Sequence, residues 1–307
     1  MLFLSLCTCC SLSLSLFLGT LRIGAFNIRA FGRNKMKKND VMKILLKIVG
    51  RYDLIFIQEL RNMNNDTVDT MMQNVKPTTR EKFDYEMTKP LGTGTYKEQY
   101  AYLFRSDKIS VKSSFVYDDV GNKFVREPFV ITFTSPLIDV KEVTVIGIHT
   151  VEKNVKKELD ELAHVHQKIT REIGHDNVII LGDMNVDCNY CRKKCQQNLF
   201  IRKDSKFQWL IADNIDTTVD NATNCTYDQL IITGHQLSEI AYNGQSTISV
   251  DCLKPAYLEQ AAKQLYPDRQ QSNISQQPLL SSPSSNQSQQ STSQSEPLFT
   301  KIGPENK

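Results

Sequence analysis

The sequence predicts one α/β domain with its helices outside. Two observations carry this. Between residue 21 and about residue 258, short apolar runs of strand character interleave with segments of helical periodicity, and no Gly-rich nucleotide fingerprint interrupts them. After that the composition changes abruptly. Residues 270–295 hold no charge and no aromatic ring and consist mostly of Ser, Gln and Pro, which cannot bury enough surface to offset the entropy of ordering. The expected organisation is therefore a leader over 1–20, a folded domain over 21–267 and a disordered tail over 268–307.

The elements follow in order. Residues 1–20, MLFLSLCTCCSLSLSLFLGT, are uncharged and apolar and end in small residues. This reads as a secretory signal peptide cleaved near Gly19 or Thr20. A membrane anchor is the alternative, because the run sits at the lower edge of the roughly 17–25 residues that span a bilayer. LRIGAFN (21–27) and YDLIFIQ (52–58) read as strands, the second a buried one. Between them, 39–50 is helical, with Val41, Leu45 and Ile48 on one face. EQYAYLFR (98–105) and VTVIGIH (143–149) are further strands. Val151, Val155, Leu159, Leu162, Val165, Ile169 and Ile173 recur at three- and four-residue spacing, which predicts an amphipathic helix over 152–173. NVIILGD (177–183) and YDQLIIT (227–233) are strands again. No internal repeat is present.

The 307 residues carry 37 Lys+Arg against 34 Asp+Glu, a net charge of +3. The tail balances Asp268, Glu296 and Glu305 against Arg269, Lys301 and Lys307, so the excess belongs to the folded part. It is too weak to argue nucleic-acid binding by itself. A hydrophobic content of 40% supports a large core and excludes wholesale disorder. Of eight Cys, Cys7, Cys9 and Cys10 lie in the leader. Cys188, Cys191, Cys195, Cys225 and Cys252 remain, an odd set in which at least one is unpaired or bridges chains. Asn-x-Ser/Thr triplets at Asn65, Asn221, Asn224, Asn273 and Asn286 accord with secretion.

The polar residues of interest stand at strand ends: Asn27, Glu59, His149, Asp183, Asn185 and Asp228. Singly, each reads as an ordinary turn residue. As a set at successive strand ends they converge on one crevice, an oxygen-rich site suited to a hard divalent cation such as Mg²⁺ or Ca²⁺.

LRIGAFNIRAFG, YDLIFIQELR, PLGTGTYKEQYAYLFR, REPF, LGDMNVDCNY, FQWLIADNIDTT and TNCTYDQLII resemble, in that order, the deoxyribonuclease I family. The resemblance runs from Leu21 to about Tyr257. The Asn, Glu and GD-x-N elements belong to the wider endonuclease/exonuclease/phosphatase group. The TYKEQY, REPF and TNCTYD blocks point to the deoxyribonuclease I branch. The resemblance implies a four-layer α/β sandwich, two packed mixed sheets with helices outside, and metal-dependent hydrolysis of DNA phosphodiesters. It makes His149 a catalytic imidazole and Glu98 its carboxylate partner. Asn27 and Glu59 would bind the metal. Asp183 and Asn185 would position metal, water or phosphate, and Asp228 would orient a second imidazole. Arg29, Arg61, Tyr96 and Arg126 match groove- and phosphate-contacting positions. Cys188 and Cys225 fall where the family carries its disulfide. Cys191 and Cys195 add C-x₂-C-x₃-C spacing, for which zinc is the alternative. Asp216 resembles a structural calcium loop. Asp119 and Glu127 match parts of a second one, in which Lys123 replaces a usual carboxylate.

One departure stands out. Family members end in a Ser-Asp-His-Tyr-Pro segment that supplies the second imidazole and another carboxylate. This sequence has no His after His235. Tyr266-Pro267 echoes the motif, with Gln264 and Leu265 in place of Asp and His, and neither replacement can move a proton. The resulting expectation is a secreted, monomeric, Mg²⁺- and Ca²⁺-using endonuclease for double-stranded DNA, weakened at its C-terminal side. Nuclear and endoplasmic-reticulum pools stand beside secretion, and no membrane attachment is expected once the leader is cleaved. The alternatives are a catalytically inactive DNA- or protein-binding relative, a phosphoesterase for other esters on the same fold, and an altered transcript end.

Overall fold

Side-chain alternation decides how the chain layers. The computed structural model describes residues 20–61, 65–75, 82–218, 222–242 and 248–253. Most of the leader, the segment 254–267 with Gln264 to Pro267, and the tail 268–307 lie outside the described residues. The strands are β1 (Leu21–Phe31), β2 (Leu54–Leu60), β3 (Phe83–Met87), β4 (Gln99–Arg105), β5 (Ser110–Val116), β6 (Phe129–Thr134), β7 (Val143–Gly147), β8 (Val178–Asp183), β9 (Gln208–Trp209), β10 (Asp228–Thr233) and β11 (Ile248–Leu253). The helices are α1 (Arg33–Met36), α2 (Asn39–Val49), α3 (Asn65–Val75), α4 (Val155–Ile173), α5 (Lys193–Gln196), α6 (Phe200–Lys203) and α7 (His235–Tyr242).

One sheet has the order β11-β1-β2-β4-β3 and the other β5-β6-β7-β8-β10-β9. Both are mixed: β1 runs parallel to β2 and β11, and β7 parallel to β8, while the remaining pairs are antiparallel. Ile23, Ala25, Leu54, Phe56, Tyr100 and Tyr102 pack between the sheets against Ile131, Val145, Ile179, Leu181 and Ile232. Their neighbours along the strands point the other way. Phe26, Ile55 and Ile57 meet Leu45, Ile48, Val68 and Met71 of α2 and α3. Ile146, Val178, Ile180 and Ile231 meet Leu159, Leu162, Val165 and Ile169 of α4. The result is the four-layer α/β sandwich the resemblance implied. Strands buried on both faces read as unbroken apolar runs, which explains LIFIQ and VIILG.

The two sheets approach closely where Gly147 faces Phe56. A Cβ on Gly147 would lie 2.4 Å from that ring, so glycine is required there by space. Phe56, Tyr102 and Phe129 then continue as an aromatic row with centroids 5.0 Å apart at each step.

Some boundaries differ from expectation, each for a local reason. β1 continues through a register shift to Phe31, so Asn27 sits inside a bulged strand, not at its end. α4 begins at Val155, because Val151–Asn154 close a turn through Asn154 N–H to Val151 O at 2.7 Å. Its buried Glu158 accepts Val151 N–H at 3.0 Å and Val125 N–H at 3.1 Å, fixing two loops beside the cleft. Val41 is only half-buried, and α2 buries a wider face through Met42, Ile44, Leu45, Leu46, Ile48 and Val49. The polar strand β5 lies at a sheet edge and was not legible as a strand.

Candidate active site

Backbone strain gathers where the two sheets share an edge. Arg29, Ala30, Glu59, Asn185 and Cys188 all adopt positive φ, between 49° and 59°. Non-glycine residues do so at a cost of about 1–3 kcal/mol each, and such strain clusters at functional sites. Gly182 has φ of 135°, and a Cβ there would lie 2.0 Å from Ile148 O. The Gly of the GD-x-N element therefore lets the end of β8 press against the chain that bears His149. β10 runs antiparallel to β8, with Asp228 directly opposite Asp183.

These strand ends floor a cleft of about 950 Å³ lined by Asn27, Arg29, Glu59, Tyr96, Glu98, Arg126, His149, Asp183, Asn185 and Asp228, among others. The residues predicted to cooperate are thus brought together, apart from Arg61 and Asp216. Arg61 stands at the rim, its guanidinium 3.6 Å over the Tyr96 ring. Tyr96 is 49% exposed, so the pair presents a flat cationic surface. Asp216 does not line the cleft itself but precedes the lining residues Thr217 and Thr218, where its Oδ1 accepts Thr218 N–H at 2.9 Å and the Thr218 hydroxyl at 2.7 Å.

On one wall, Glu98 is 1% exposed. Its Oε2 lies 3.0 Å from His149 Nδ1, and its Oε1 accepts Arg126 Nη1 at 3.2 Å. Burial opposes the charge on Glu98, but the bond to His149 and the charges of His149 and Arg126 outweigh it and hold the carboxyl below its usual range. Glu98 is then an acceptor only, so Nδ1–H of His149 must donate and Nε2 faces the cleft. That Nε2 lies 3.8 Å from Asp183 Oδ2. Arg126 commits its remaining nitrogens to backbone: Nε to His149 O at 3.1 Å and Nη2 to Thr150 O at 3.2 Å. The structure therefore gives this buried arginine a positioning task that sequence reasoning, which gave it a DNA contact, did not find. Tyr100 was also missed. Its hydroxyl accepts His149 N–H at 3.1 Å. The signal was present, since Glu98 and Tyr100 are two residues apart and share a strand face.

On the other wall, the Asn27 amide donates to Glu59 Oε1 at 2.9 Å and to Asp183 Oδ2 at 3.1 Å. Glu59 Oε2 also accepts Ala30 N–H at 2.7 Å. Glu59 forms no ion pair with a basic side chain among the described residues. Ligand atoms of Glu59, Glu98 and His149 lie within 4.8 Å of one another. With Asn27 and Asp183 alongside, this donor set is oxygen-rich and anionic, as a hard divalent cation requires. Asn185 donates its amide to Thr150 O at 3.0 Å and its backbone N–H to Asp183 Oδ1 at 3.2 Å, steadying the turn. Asp228 is buried, and its Oδ1 has no hydrogen-bond partner among the described residues. Burial first, and then the charge of Asp183, push its carboxyl well above the usual range.

Cys188 and Cys225 form the expected disulfide, with Cα atoms 5.8 Å apart. Cys191 and Cys195 form a second. With these four sulfurs paired, the zinc alternative is overturned, because zinc binds the thiolate.

Residues 24–194 match the model of the Endonuclease/Exonuclease/phosphatase family. Deoxyribonuclease gamma of Rattus norvegicus is 37% identical over 224 residues, covering 71% of this chain and 72% of its own. Deoxyribonuclease-1 of Bos taurus is 34% identical over 232 residues, covering 74% and 82%. Among solved structures, the human Nocturnin catalytic domain with bound sulfate superposes with a TM-score of 0.51 at 14% identity, over 68% of this chain and 80% of that one. That last likeness concerns the fold alone.

Proposed function

The chain belongs to the deoxyribonuclease I family of the endonuclease/exonuclease/phosphatase group, and from that premise we propose that it cleaves double-stranded DNA as a divalent-cation-dependent endonuclease. The observation that carries the reading is the buried Glu98–His149 pair facing Glu59, Asn27 and Asp183 across one cleft.

Glu59 and Asn27, with Asp183 beside them, would hold Mg²⁺. Bound there, the cation supplies neutralisation of the phosphodiester charge and stabilisation of the crowded transition state. The side chains do the rest. His149 Nε2 takes or gives the proton at the reacting oxygen. Glu98 keeps the Nδ1–H tautomer and stabilises the imidazolium that forms. Arg126 and Tyr100 fix the backbone on which His149 rides. Asn185 holds the Asp183 turn. Arg29, Arg61 and Tyr96 contact the duplex at the rim, and contacts dominated by phosphate give weak sequence preference and strong salt dependence. Ca²⁺ at the Asp216 turn rests on the family resemblance. Export of the chain is supported by its two disulfides and apolar leader.

Asp228 Oδ1, without a partner among the described residues, and the absence of His after His235 in the sequence support a slow enzyme. Loss of one general acid or base costs about 10²–10⁴-fold, so the proposed enzyme is slow beside a relative with both imidazoles. The same observation favours a second reading, a relative that binds DNA without cutting it. A substrate panel separates these readings. Supercoiled plasmid, a lipid phosphodiester and a small phosphate ester are each incubated with the purified chain and Mg²⁺. Cleavage of plasmid alone is expected. Cleavage of the esters and not DNA would replace the reading with a phosphoesterase. DNA retention without cleavage would replace it with the binding protein.

A further inference from the structure

Beside the cleft, the sequence runs Cys191-Arg192-Lys193-Lys194-Cys195, and the disulfide between its two ends closes it into a small loop. Arg192, Lys193 and Lys194 are consecutive and exposed. None forms an ion pair with a carboxylate among the described residues, whereas nearby Arg202 is paired with Asp213 and Lys206 with Asp204. Several contacts hold the loop beside the cleft. Cys188 tethers its approach to Cys225. Tyr190 lines the cleft together with Glu152 and packs on the Tyr227 ring with centroids 5.3 Å apart. Gln196 donates to Asp187 at 3.1 Å and to Cys191 O at 3.0 Å just past the loop.

Three consecutive cations that begin two residues after a cleft-lining tyrosine are arranged for a polyanion that extends out of the cleft. We propose that the Cys191–Cys195 loop is a second anchoring site for the phosphate backbone of duplex DNA, outside the cleft that holds the scissile bond. The inference rests on the DNA reading above and adds to it a surface that steers and holds the flanking duplex. The disulfide matters because a loop already closed loses little backbone entropy on binding. DNA is the occupant the observations favour because a duplex seated in the cleft must leave it over one of its rims, and this loop adds three consecutive cations that form no ion pair among the described residues.

The test reads binding without turnover. Dissociation constants of a 30-base-pair duplex are measured by fluorescence anisotropy in EDTA, from about 50 to 200 mM salt. The variants are the triple Arg192→Gln/Lys193→Gln/Lys194→Gln and a control of equal charge on α2 and the turn that follows it, Lys43→Gln/Lys47→Gln/Arg51→Gln. Each lost phosphate contact lowers the slope of log K against log salt by about 0.9. The loop triple is therefore expected to lower it by about 2–3, to weaken binding about ten- to a hundredfold near 150 mM salt, and to raise KM for plasmid with kcat kept. The control is expected to leave the slope near that of the unaltered chain. An unchanged slope in the loop triple, or an equal drop in the control, overturns the loop site while DNA binding by the unaltered chain still stands. If the unaltered chain shows no salt-sensitive DNA binding, the parent reading falls and the loop site with it.

Discussion

Replacing Glu98 with Gln keeps the shape of a buried side chain and removes its charge. In the structure the carboxylate accepts from His149 Nδ1 at 3.0 Å and from Arg126 Nη1 at 3.2 Å. A carboxamide has one oxygen for these two donors. If Arg126 keeps the oxygen, the amide N–H₂ faces Nδ1 and forces the imidazole proton onto Nε2, the atom that must accept a proton from the cleft. The wrong tautomer of a comparable buried His–carboxylate pair lowers kcat by about 10⁴, and general acid–base terms span about 10²–10⁴. The expected loss for Glu98→Gln is therefore about 10²–10⁴ in kcat, or about 3–5 kcal/mol of barrier, with KM for DNA little changed. Stability falls too, since the buried Arg126 guanidinium loses its counter-charge, a change worth about 3–5 kcal/mol and about 6–20 °C in Tm. The assay is single-hit nicking of supercoiled plasmid at saturating Mg²⁺, at a temperature where circular dichroism shows both proteins folded. A folded Glu98→Gln protein within threefold of the unaltered kcat would refute the roles given to this pair.

Four further outcomes are expected. His166 is buried against Thr233 at 2.8 Å and, mainly through burial, titrates near 4 instead of 6.5. Its folded form stays neutral while the unfolded chain takes up a proton, so stability is complete above about pH 6.5 and declines as pH falls towards 4. The loss is about 3 kcal/mol, and chemical-denaturation midpoints of His166→Gln should lack this slope. Gly182→Ala places a methyl 2.0 Å from Ile148 O at a φ that L residues avoid. It should cost about 3 kcal/mol or more, read as a Tm drop of about 6–12 °C with nicking reduced. Glu158→Ala removes the acceptor of the half-buried N–H groups of Val125 and Val151, each bond worth about 1 kcal/mol, and should lower both Tm and kcat because these loops carry Arg126 and flank His149. Chelation by EDTA should abolish nicking, and Mg²⁺ in excess should restore it without refolding.

The parts of this architecture visible in the sequence are those where one physical requirement dominates. Doubly buried strands leave continuous apolar runs, and α4 leaves its three–four spacing. The site was legible as a set of polar residues near strand ends, because side chains there share an edge of the sandwich. What composition and spacing do not encode is local backbone shape. Asn27 and Glu59 reach the cleft through a bulge and a left-handed backbone at Glu59, which no periodicity announces. Edge strand β5 carries Ser, Lys and Ser where an inner strand carries Val and Ile, so its hydrogen-bonded partner β6 defines it. Arg126 looked like a surface cation because the depth of a loop depends on the distant Glu98 and Glu158 that pull it in. The Cys191–Cys195 pairing needed the turn geometry between them.

The most direct measurement is plasmid nicking by the purified chain with Mg²⁺ and Ca²⁺, set against EDTA and against folded His149→Ala. Slow nicking that vanishes both without metal and without His149 is the predicted result. Nicking that persists in His149→Ala, or none at all from folded, metal-supplied protein, would contradict the claim that one buried imidazole–carboxylate pair beside an anionic cation site suffices to cut DNA.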